Sequence, residues 1–359
     1  MRDILMLQRE LAQAVAAAVH SELRTDGGRE LRPTPQINPR AYDSLLRSRA
    51  AAGKQSVEGF REAIAYAQDA VARQPDFAAA WSAMARYYSN GAFIGLLSPQ
   101  ECMGRSEIAV RKALELDAAL PDAHITLGNV LYRSHWNWSA AEAEFRRALQ
   151  LAPGDADAHR AFSVFLTMQG NSEAALVQAQ QAIALDPLSL QALQDDGRAL
   201  RAAGRYDEAI AAYRRALSAD PNVPRAHFQL GRTYLLAGQM QQGVVELETA
   251  VNLSKRNPRY LAYLGHAYGR GGRPSDARRI LNELTRNETY VSPVGLALVH
   301  TGLGDKKAAL TSLDAAYRQR AFELVELREM SAFESLRAEP RFQELMARIG
   351  LPVRADRKP

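Results

Sequence analysis

The residue types that most often carry out chemistry are sparse in this sequence. Cys102 is its only cysteine, which excludes an intrachain disulfide and a zinc site built from several thiolates. No histidine lies near it in the sequence to activate the thiol, so we interpret Cys102 as a small buried apolar residue. The patterns of zinc peptidases, nucleotide-binding loops and serine hydrolases (His-Glu-x-x-His, Gly-x-x-x-x-Gly-Lys-Ser/Thr and Gly-x-Ser-x-Gly) are absent. We therefore predict that the protein is not an enzyme and that it has no metal ion and no cofactor.

The composition is that of a helical protein with mixed charge. The chain has 359 residues, of which 47% are hydrophobic and 7% aromatic, and its 45 basic and 40 acidic residues give a net charge of +5. Charges that cancel so nearly differ from the concentrated basic face of a nucleic-acid-binding protein. The sequence also has no run of about 20 apolar residues, the length that a membrane span needs. We expect a soluble, cytoplasmic protein that neither binds nucleic acid directly nor inserts into a membrane.

An internal repeat of 34 residues defines the elements that must position the polar side chains. Its columns of small residues and prolines are Gly197, Gly231 and Gly265; Gly204, Gly238 and Gly272; Ala148, Ala182, Ala216 and Ala250; and Pro153, Pro187 and Pro221. A small residue within the first helix lets its partner helix approach closely, and the second glycine ends that helix with left-handed backbone. Proline cannot continue the second helix and closes the unit. Because one helical hairpin cannot bury its apolar stripe alone, the hairpins must stack on one another.

These columns resemble the tetratricopeptide repeat, whose pattern is a large residue, Leu-Gly, an aromatic, Ala, an aromatic, Ala and Pro. The best match runs from Leu193 through Gly197, Tyr206 and Tyr213 to Pro221, and the resemblance covers about residues 39–320. It implies an all-α, right-handed superhelical solenoid of about eight helix pairs. We expect the pairs to start near residues 39, 78, 121, 156, 190, 224, 258 and 290, with an inserted loop over 91–100.

The resemblance also implies a binding surface. In the tetratricopeptide family, fixed positions of each first helix line a concave groove that binds extended peptides, and steps of three and four residues keep them on one face. Carried onto this sequence, those positions and their neighbours assign peptide-binding roles to Asn129, Arg160, Gln191, Gln194, Arg198, Arg201, Arg225, Phe228, Arg232, Arg259, His266 and Arg270.

The charge of this surface indicates the class of partner. Arginines dominate it between residues 190 and 273, and guanidinium groups bind carboxylates through two parallel hydrogen bonds. A concave cationic wall also raises the local concentration of anions. We predict a scaffold that binds an extended, acidic peptide segment, or a free C-terminus. The alternative is a merely solvated face in an arginine-rich chain. The carboxylate clamp of co-chaperone repeats is not reproduced, since only Asn129 fits it.

Other conspicuous polar residues fall on repeat positions. His124, His159 and His227 occupy one column, and residues one repeat apart lie too far from each other to share a metal ion, so we predict packing histidines. In His135–Trp138, we predict that the second tryptophan packs, and the first either packs or forms a contact surface. Asp196 occupies a column of Leu and Phe, where an unpaired buried carboxylate would cost several kcal/mol. We predict that it reaches the surface or pairs with an arginine of a neighbouring repeat.

The regions outside the repeats suggest a regulatory module. We predict an amphipathic helix over 1–24 that packs on another domain or forms a homodimer, a linker over 25–38, a C-terminal cap over 321–350 with a short helix and a last helix, and a disordered tail over 351–359. This layout resembles the C-terminal region of bacterial multidomain signalling proteins, in which repeats follow a cyclase, kinase or winged-helix domain. The competing function is therefore a cis-acting regulatory module of a larger protein, with no separate partner in the groove.

Overall fold

The computed structural model describes residues 37–54, 56–93, 95–287 and 290–351, and every regular element within them is a helix. Sixteen α-helices of this part form eight consecutive packed pairs, and one more α-helix follows. The pairs are α1 (Pro39–Ala52) with α2 (Val57–Arg73), α3 (Ala78–Gly91) with α4 (Pro99–Leu116), α5 (Pro121–Ser134) with α6 (Trp138–Leu151), α7 (Ala156–Gln169) with α8 (Ser172–Leu185), α9 (Leu190–Ala202) with α10 (Tyr206–Ala219), α11 (Pro224–Leu236) with α12 (Met240–Leu253), α13 (Pro258–Arg270) with α14 (Pro274–Thr285), and α15 (Pro293–Gly302) with α16 (Lys306–Arg318). Two 3₁₀ helices, Phe322–Glu326 and Ser331–Leu336, precede α17 (Pro340–Arg348).

The predicted solenoid of helix pairs is confirmed, and the glycine columns account for its hairpins. Turn glycines after five first helices have φ between 77° and 84°, the left-handed region that ends a helix: Gly170, Gly204, Gly238, Gly272 and Gly304. At the other glycine column, a Cβ on Gly197 would lie 2.7 Å from the ring of Tyr213 on the partner helix. Glycine is therefore required there by the close approach of α9 and α10.

The predicted packing histidines are also confirmed. His124, His159 and His227 each contact the second helix of their own hairpin, through Glu144, Gln178 and Glu246. The other ring nitrogen of each lies 2.9–3.0 Å from a backbone oxygen just before the first helix. Glu144 raises the pKa of His124 above its ordinary value, against the effect of burial.

Asp196 departs from its prediction. Its side chain is buried, and its carboxylate lies 3.8 Å from Arg215, which belongs to the second helix of the same hairpin rather than to a neighbouring repeat. Burial raises the pKa of Asp196, and the attraction of Arg215 and Arg205 offsets this only in part. The prediction of an inter-repeat partner was wrong, because the turn between α9 and α10 brings Arg215 back beside the first helix.

The first helices of successive pairs contact one another along the array and form a continuous surface. We call the face of α5, α7, α9, α11 and α13 that carries the predicted binding residues the inner groove.

After α16 the chain turns back across this groove instead of ending the array. Arg320 donates a hydrogen bond to the carbonyl oxygen of Ser134 at 3.1 Å, and Phe322 packs edge-on against Phe93 with ring centroids 4.5 Å apart. Arg328 donates to the carbonyl oxygen of Gln169 at 2.5 Å. We call residues 321–330 the return segment. It crosses from α3 and α5 to α7, which the prediction of a simple terminal cap did not anticipate.

The two tryptophans of His135–Trp138 help to hold the C-terminal region. Trp138 donates from Nε1 to the carbonyl oxygen of Ile349 at 2.8 Å and packs in the core, as predicted. Trp136 stacks on Tyr317 with a centroid distance of 5.2 Å, and the guanidinium of Arg320 lies over the Trp136 ring, 4.5 Å from its centroid. Trp136 therefore makes its contacts with residues of its own chain.

Several predictions lie outside the described residues. These are the amphipathic helix over 1–24, nearly all of the linker and the tail after residue 351. Among the helices that the structure does describe, none is both long and apolar enough to cross a membrane.

Candidate functional site

The return segment supplies two carboxylates to the arginines of the inner groove. Glu326 is 2% exposed and lies 2.6 Å from Arg259 and 3.6 Å from Arg198. Glu329 lies 3.4 Å from Arg198 and 3.5 Å from Arg201. Three of the predicted binding arginines, carried by α9 and α13, thus converge on acidic side chains that lie at least 67 residues further along the chain.

The electrostatics of this cluster follow from burial and pairing. Burial alone would raise the pKa of Glu326, but the guanidinium groups of Arg259, Arg198 and Arg232 outweigh it and hold the pKa well below its usual range. Burial would likewise lower the pKa of Arg198, but Glu329 and Glu326 raise it. Each partner therefore keeps the other charged in an environment where a lone charge would be strongly unfavourable.

Apolar residues hold the return segment beside these ion pairs. Leu324, Val325 and Leu327 are at most 1% exposed. Leu324 and Leu327 join the core of the C-terminal repeats, whereas Val325 joins the core cluster that contains Tyr132. At about 1.5–3 kcal/mol for each fully buried aliphatic side chain, these three contribute on the order of 5–9 kcal/mol to docking.

A second ion-pair cluster lies within the groove wall. Asp195 is 1% exposed and accepts hydrogen bonds from Arg160 at 3.0 Å and Arg225 at 2.5 Å. Burial would raise its pKa, but Arg225 and Arg160 lower it below the ordinary value. Because Arg160, Asp195 and Arg225 belong to α7, α9 and α11, the cluster ties three successive repeats together.

Arg232 is a buried arginine of the groove that has no carboxylate at ion-pair distance in the described part of the chain. Its Nη1 donates to Oε1 of Gln229 at 3.2 Å, an atom that also accepts from Arg201 at 2.8 Å. Its guanidinium lies 4.7 Å from the ring of Tyr263 and 5.4 Å from that of Phe228. Burial lowers the pKa of Arg232 to about 10, since its attraction to more distant groups does not offset the loss of water.

Arg232 lines a cavity of about 280 Å³ between α11, α13 and the chain from the end of the return segment to Ser335. Its charged and polar lining comprises Arg232, His266, Arg270, Thr301, Glu329, Ser331, Glu334 and Ser335. The apolar lining comprises Leu235, Leu236, Met240, Tyr263, Ala267, Met330 and Ala332. The cavity therefore has a polar side and an apolar side. Its two arginines, Arg232 and Arg270, form no ion pair with a carboxylate of the described residues.

The remaining predicted residues have less central places. Asn129 and Gln194 donate from their side-chain amides to the carbonyl oxygens of Ile125 and Leu190, each at 3.0 Å within its own helix. Gln191 is half-buried on α9. His266 has Nδ1 3.0 Å from the carbonyl oxygen of Leu298, and burial lowers its pKa to about 4, so the ring is neutral near pH 7.

Phe228 and Arg270 have opposite environments. Phe228 is 2% exposed and stacks on Tyr260 with ring centroids 4.5 Å apart, so its face is already covered. Arg270 ends α13, is exposed and has no ion pair with another described residue. The structure thus places the predicted arginines in three groups: paired in the wall, paired to the return segment, and lining the cavity.

Sequence reasoning missed the acidic partners of the groove. Glu323, Glu326 and Glu329 recur in steps of three, a spacing that was available as a signal, but they lie outside the repeat columns. Asp195 stands beside Asp196, and only Asp196 interrupts a column of apolar residues, so the repeat pattern does not single out Asp195. No group of three or more His, Cys, Asp or Glu side chains in the described ranges is arranged to hold a metal ion.

Comparisons with known proteins agree with the hairpin architecture. Tetratricopeptide-repeat family models match residues 197–238 and residues 125–189 and 264–323. No protein with a curated description matches the chain in sequence.

Solved structures of repeat proteins resemble parts of it. A tetratricopeptide repeat protein from Parabacteroides merdae is 13% identical with a TM-score of 0.51, over 74% of this chain and 100% of that chain. The PilF protein of Pseudomonas aeruginosa is 19% identical with a TM-score of 0.44, over 60% and 93%. A thermophilic tetratricopeptide repeat protein from Thermus thermophilus is 21% identical with a TM-score of 0.43, over 57% and 100%. The glycine columns, the eight hairpins and the three matched regions show that this chain contains tetratricopeptide repeats, the architecture of a protein-interaction scaffold.

Proposed function

We propose that the inner groove recognises an acidic segment of a partner protein, and that the return segment takes in cis the position of such a ligand. The observation that carries the proposal is the seating of Glu326 and Glu329 on Arg198, Arg201 and Arg259. The proposed binding residues are the twelve predicted ones, with these arginines at their centre.

The chemistry of the groove selects carboxylates. Arginines that are buried and charged need counter-charges, since removing one partner from a buried pair costs about 3–5 kcal/mol. A neutral peptide that displaced the return segment would leave Arg198 and Arg259 without partners. An acidic peptide would replace the carboxylates that it displaces.

Negative charge alone does not allow a partner to displace the return segment from the inner groove. The return segment is tethered, so its effective concentration in the groove is on the order of millimolar or higher. It also buries Leu324, Val325 and Leu327. A competing ligand therefore needs two acidic side chains about three residues apart, flanked by aliphatic ones.

A direct test measures binding of a labelled peptide with the sequence of residues 321–331, amidated at its C-terminus, to the full chain. A double variant, Glu326→Gln with Glu329→Gln, weakens the internal competitor and should bind the peptide at least about tenfold more tightly than wild type. Adding Arg198→Glu should abolish this gain, and high salt should reduce it. Glu334→Gln, which alters an exposed carboxylate just after the segment, serves as the matched control. Equal binding of a peptide with glutamine in place of Glu326 and Glu329 would contradict acidic recognition.

The second candidate is a cis-acting regulatory module of a larger signalling or transcription-regulating protein. The occupation of the groove by the chain's own segment favours it, because no separate ligand is then needed. This function predicts that the double variant gains no affinity for the acidic peptide, although its return segment is loosened.

A further inference from the structure

The cavity beside the return segment combines an unbalanced positive charge with an apolar wall. Arg232 is 5% exposed and has no carboxylate within ion-pair distance among the described residues, and Arg270 at the rim is likewise unpaired. The two acidic residues of the lining are already engaged elsewhere: Glu329 with Arg198 and Arg201, and Glu334 with Arg337.

A buried cation without a counter-ion is unfavourable, so a negative group that enters the cavity gains more than it would at the surface. The Arg232 guanidinium lies over the rings of Tyr263 and Phe228, and Gln229 takes up one of its hydrogen-bond donors. Leu235, Met240 and Met330 supply an apolar wall on the same cavity.

We propose that this cavity is a binding site for a small monocarboxylate that carries a compact apolar group. The carboxylate would lie between Arg232 and Arg270, with the hydroxyl of Ser331 as a further hydrogen-bond donor of the lining. The apolar group would lie against Met240 and Met330. A volume of about 280 Å³ suits a ligand of one branched aliphatic side chain plus its carboxylate, at the lower end of the range for small-molecule pockets.

The site differs from the proposed peptide groove, although it shares Arg232 and Arg270 with the predicted binding set. It requires no displacement of Glu326 from Arg259 and no acidic side chain in the ligand. Because its lining includes Glu329, Met330 and Ser331, a bound ligand would contact the return segment directly. Such a carboxylate could come from a free small acid or from the last residue of a polypeptide.

Calorimetric titration of the full chain tests the site with N-acetyl-leucine and its uncharged analogue N-acetyl-leucinamide. We expect the acid to bind with a dissociation constant of about 1 mM or tighter and the amide to bind at least about tenfold more weakly. Arg270→Gln should weaken binding of the acid about tenfold. Arg278→Gln, an exposed arginine of α14 outside the cavity, should leave it unchanged.

A peptide acetyl-Gly-Gly-Leu with a free carboxylate distinguishes the two sources. Binding of the peptide at least as tight as that of the free acid assigns the site to a polypeptide end, and binding of the free acid alone assigns it to a small molecule. No binding of either at about 10 mM, equal binding of acid and amide, or an unchanged affinity in Arg270→Gln overturns the proposal. None of these probes has an acidic side chain, whereas the amidated peptide of residues 321–331 has no free carboxylate at its end. The two tests can therefore fail independently.

Discussion

Replacing Glu326 by glutamine should loosen the return segment, because this residue lies at the centre of the groove's ion pairs. Glutamine keeps the size of the side chain and can still accept a hydrogen bond from Arg259, but it removes the negative charge. Glu326 is 2% exposed and lies 2.6 Å from Arg259, so little water is available to replace it. Removal of one partner from such a pair costs about 3–5 kcal/mol, and we expect the lower end, about 3 kcal/mol, because glutamine preserves the hydrogen bond.

Urea titration followed by tryptophan fluorescence can measure this loss of stability at the return segment itself. Trp136 stacks on Tyr317 just before the return segment, and Trp138 is hydrogen-bonded to Ile349 just after α17. Repeat arrays can lose terminal units separately, so circular dichroism should be recorded in parallel to separate local release from global unfolding. We expect the fluorescence transition of Glu326→Gln to move to lower urea more than the transition in circular dichroism.

Glu334→Gln is the control for a charge change in the same region. The Glu334 carboxylate is 65% exposed and pairs with Arg337, and exposed pairs contribute about 0–1 kcal/mol. If Glu326→Gln changes the free energy of unfolding by no more than this control, the carboxylate is not buried against Arg259 and the account of the groove is refuted.

Three further predictions concern pH, packing and reactivity. The pKa of Glu326 is lower in the folded chain than its ordinary 4.5, so the charged carboxylate stabilises the fold above that pH. This stabilisation is lost as the pH falls below about 4.5. The difference in free energy of unfolding between wild type and Glu326→Gln should therefore shrink over that range in urea titrations at stepped pH. Gly302→Ala should destabilise the chain by about 1–3 kcal/mol in thermal unfolding, because a Cβ there would lie 2.6 Å from the carbonyl oxygen of His266. The control Gly104→Ala, at a helical position with open space around it, should be neutral or stabilising by up to about 1 kcal/mol. Cys102 should react with a thiol reagent at pH 8 at least about tenfold more slowly than a free cysteine, because burial raises its pKa to about 11, and full-speed labelling of the native chain would contradict that burial.

The sequence by itself determined the repeat architecture. The spacing of Gly204, Gly238 and Gly272 is local information, since each glycine acts on the helix that it ends. The starts of the first helices follow from the same columns, and seven of the eight lie at the expected residue, while the last begins at Pro293 instead of near 290. A periodic sequence also decides which side chains share a face of the first helices, and so it identified the arginines of the groove.

Only the tertiary structure decided what those arginines contact. Arg160 and Arg225 pair with Asp195 of the repeat between them, a contact that depends on how closely three hairpins stack. Arg198 and Arg259 pair with Glu326, which lies in a segment without the repeat pattern. The path of such a segment is set by contacts between residues far apart in the chain, and no local periodicity encodes it. The same long-range docking leaves Arg232 buried beside an open cavity, so this site could be located only from the packed structure.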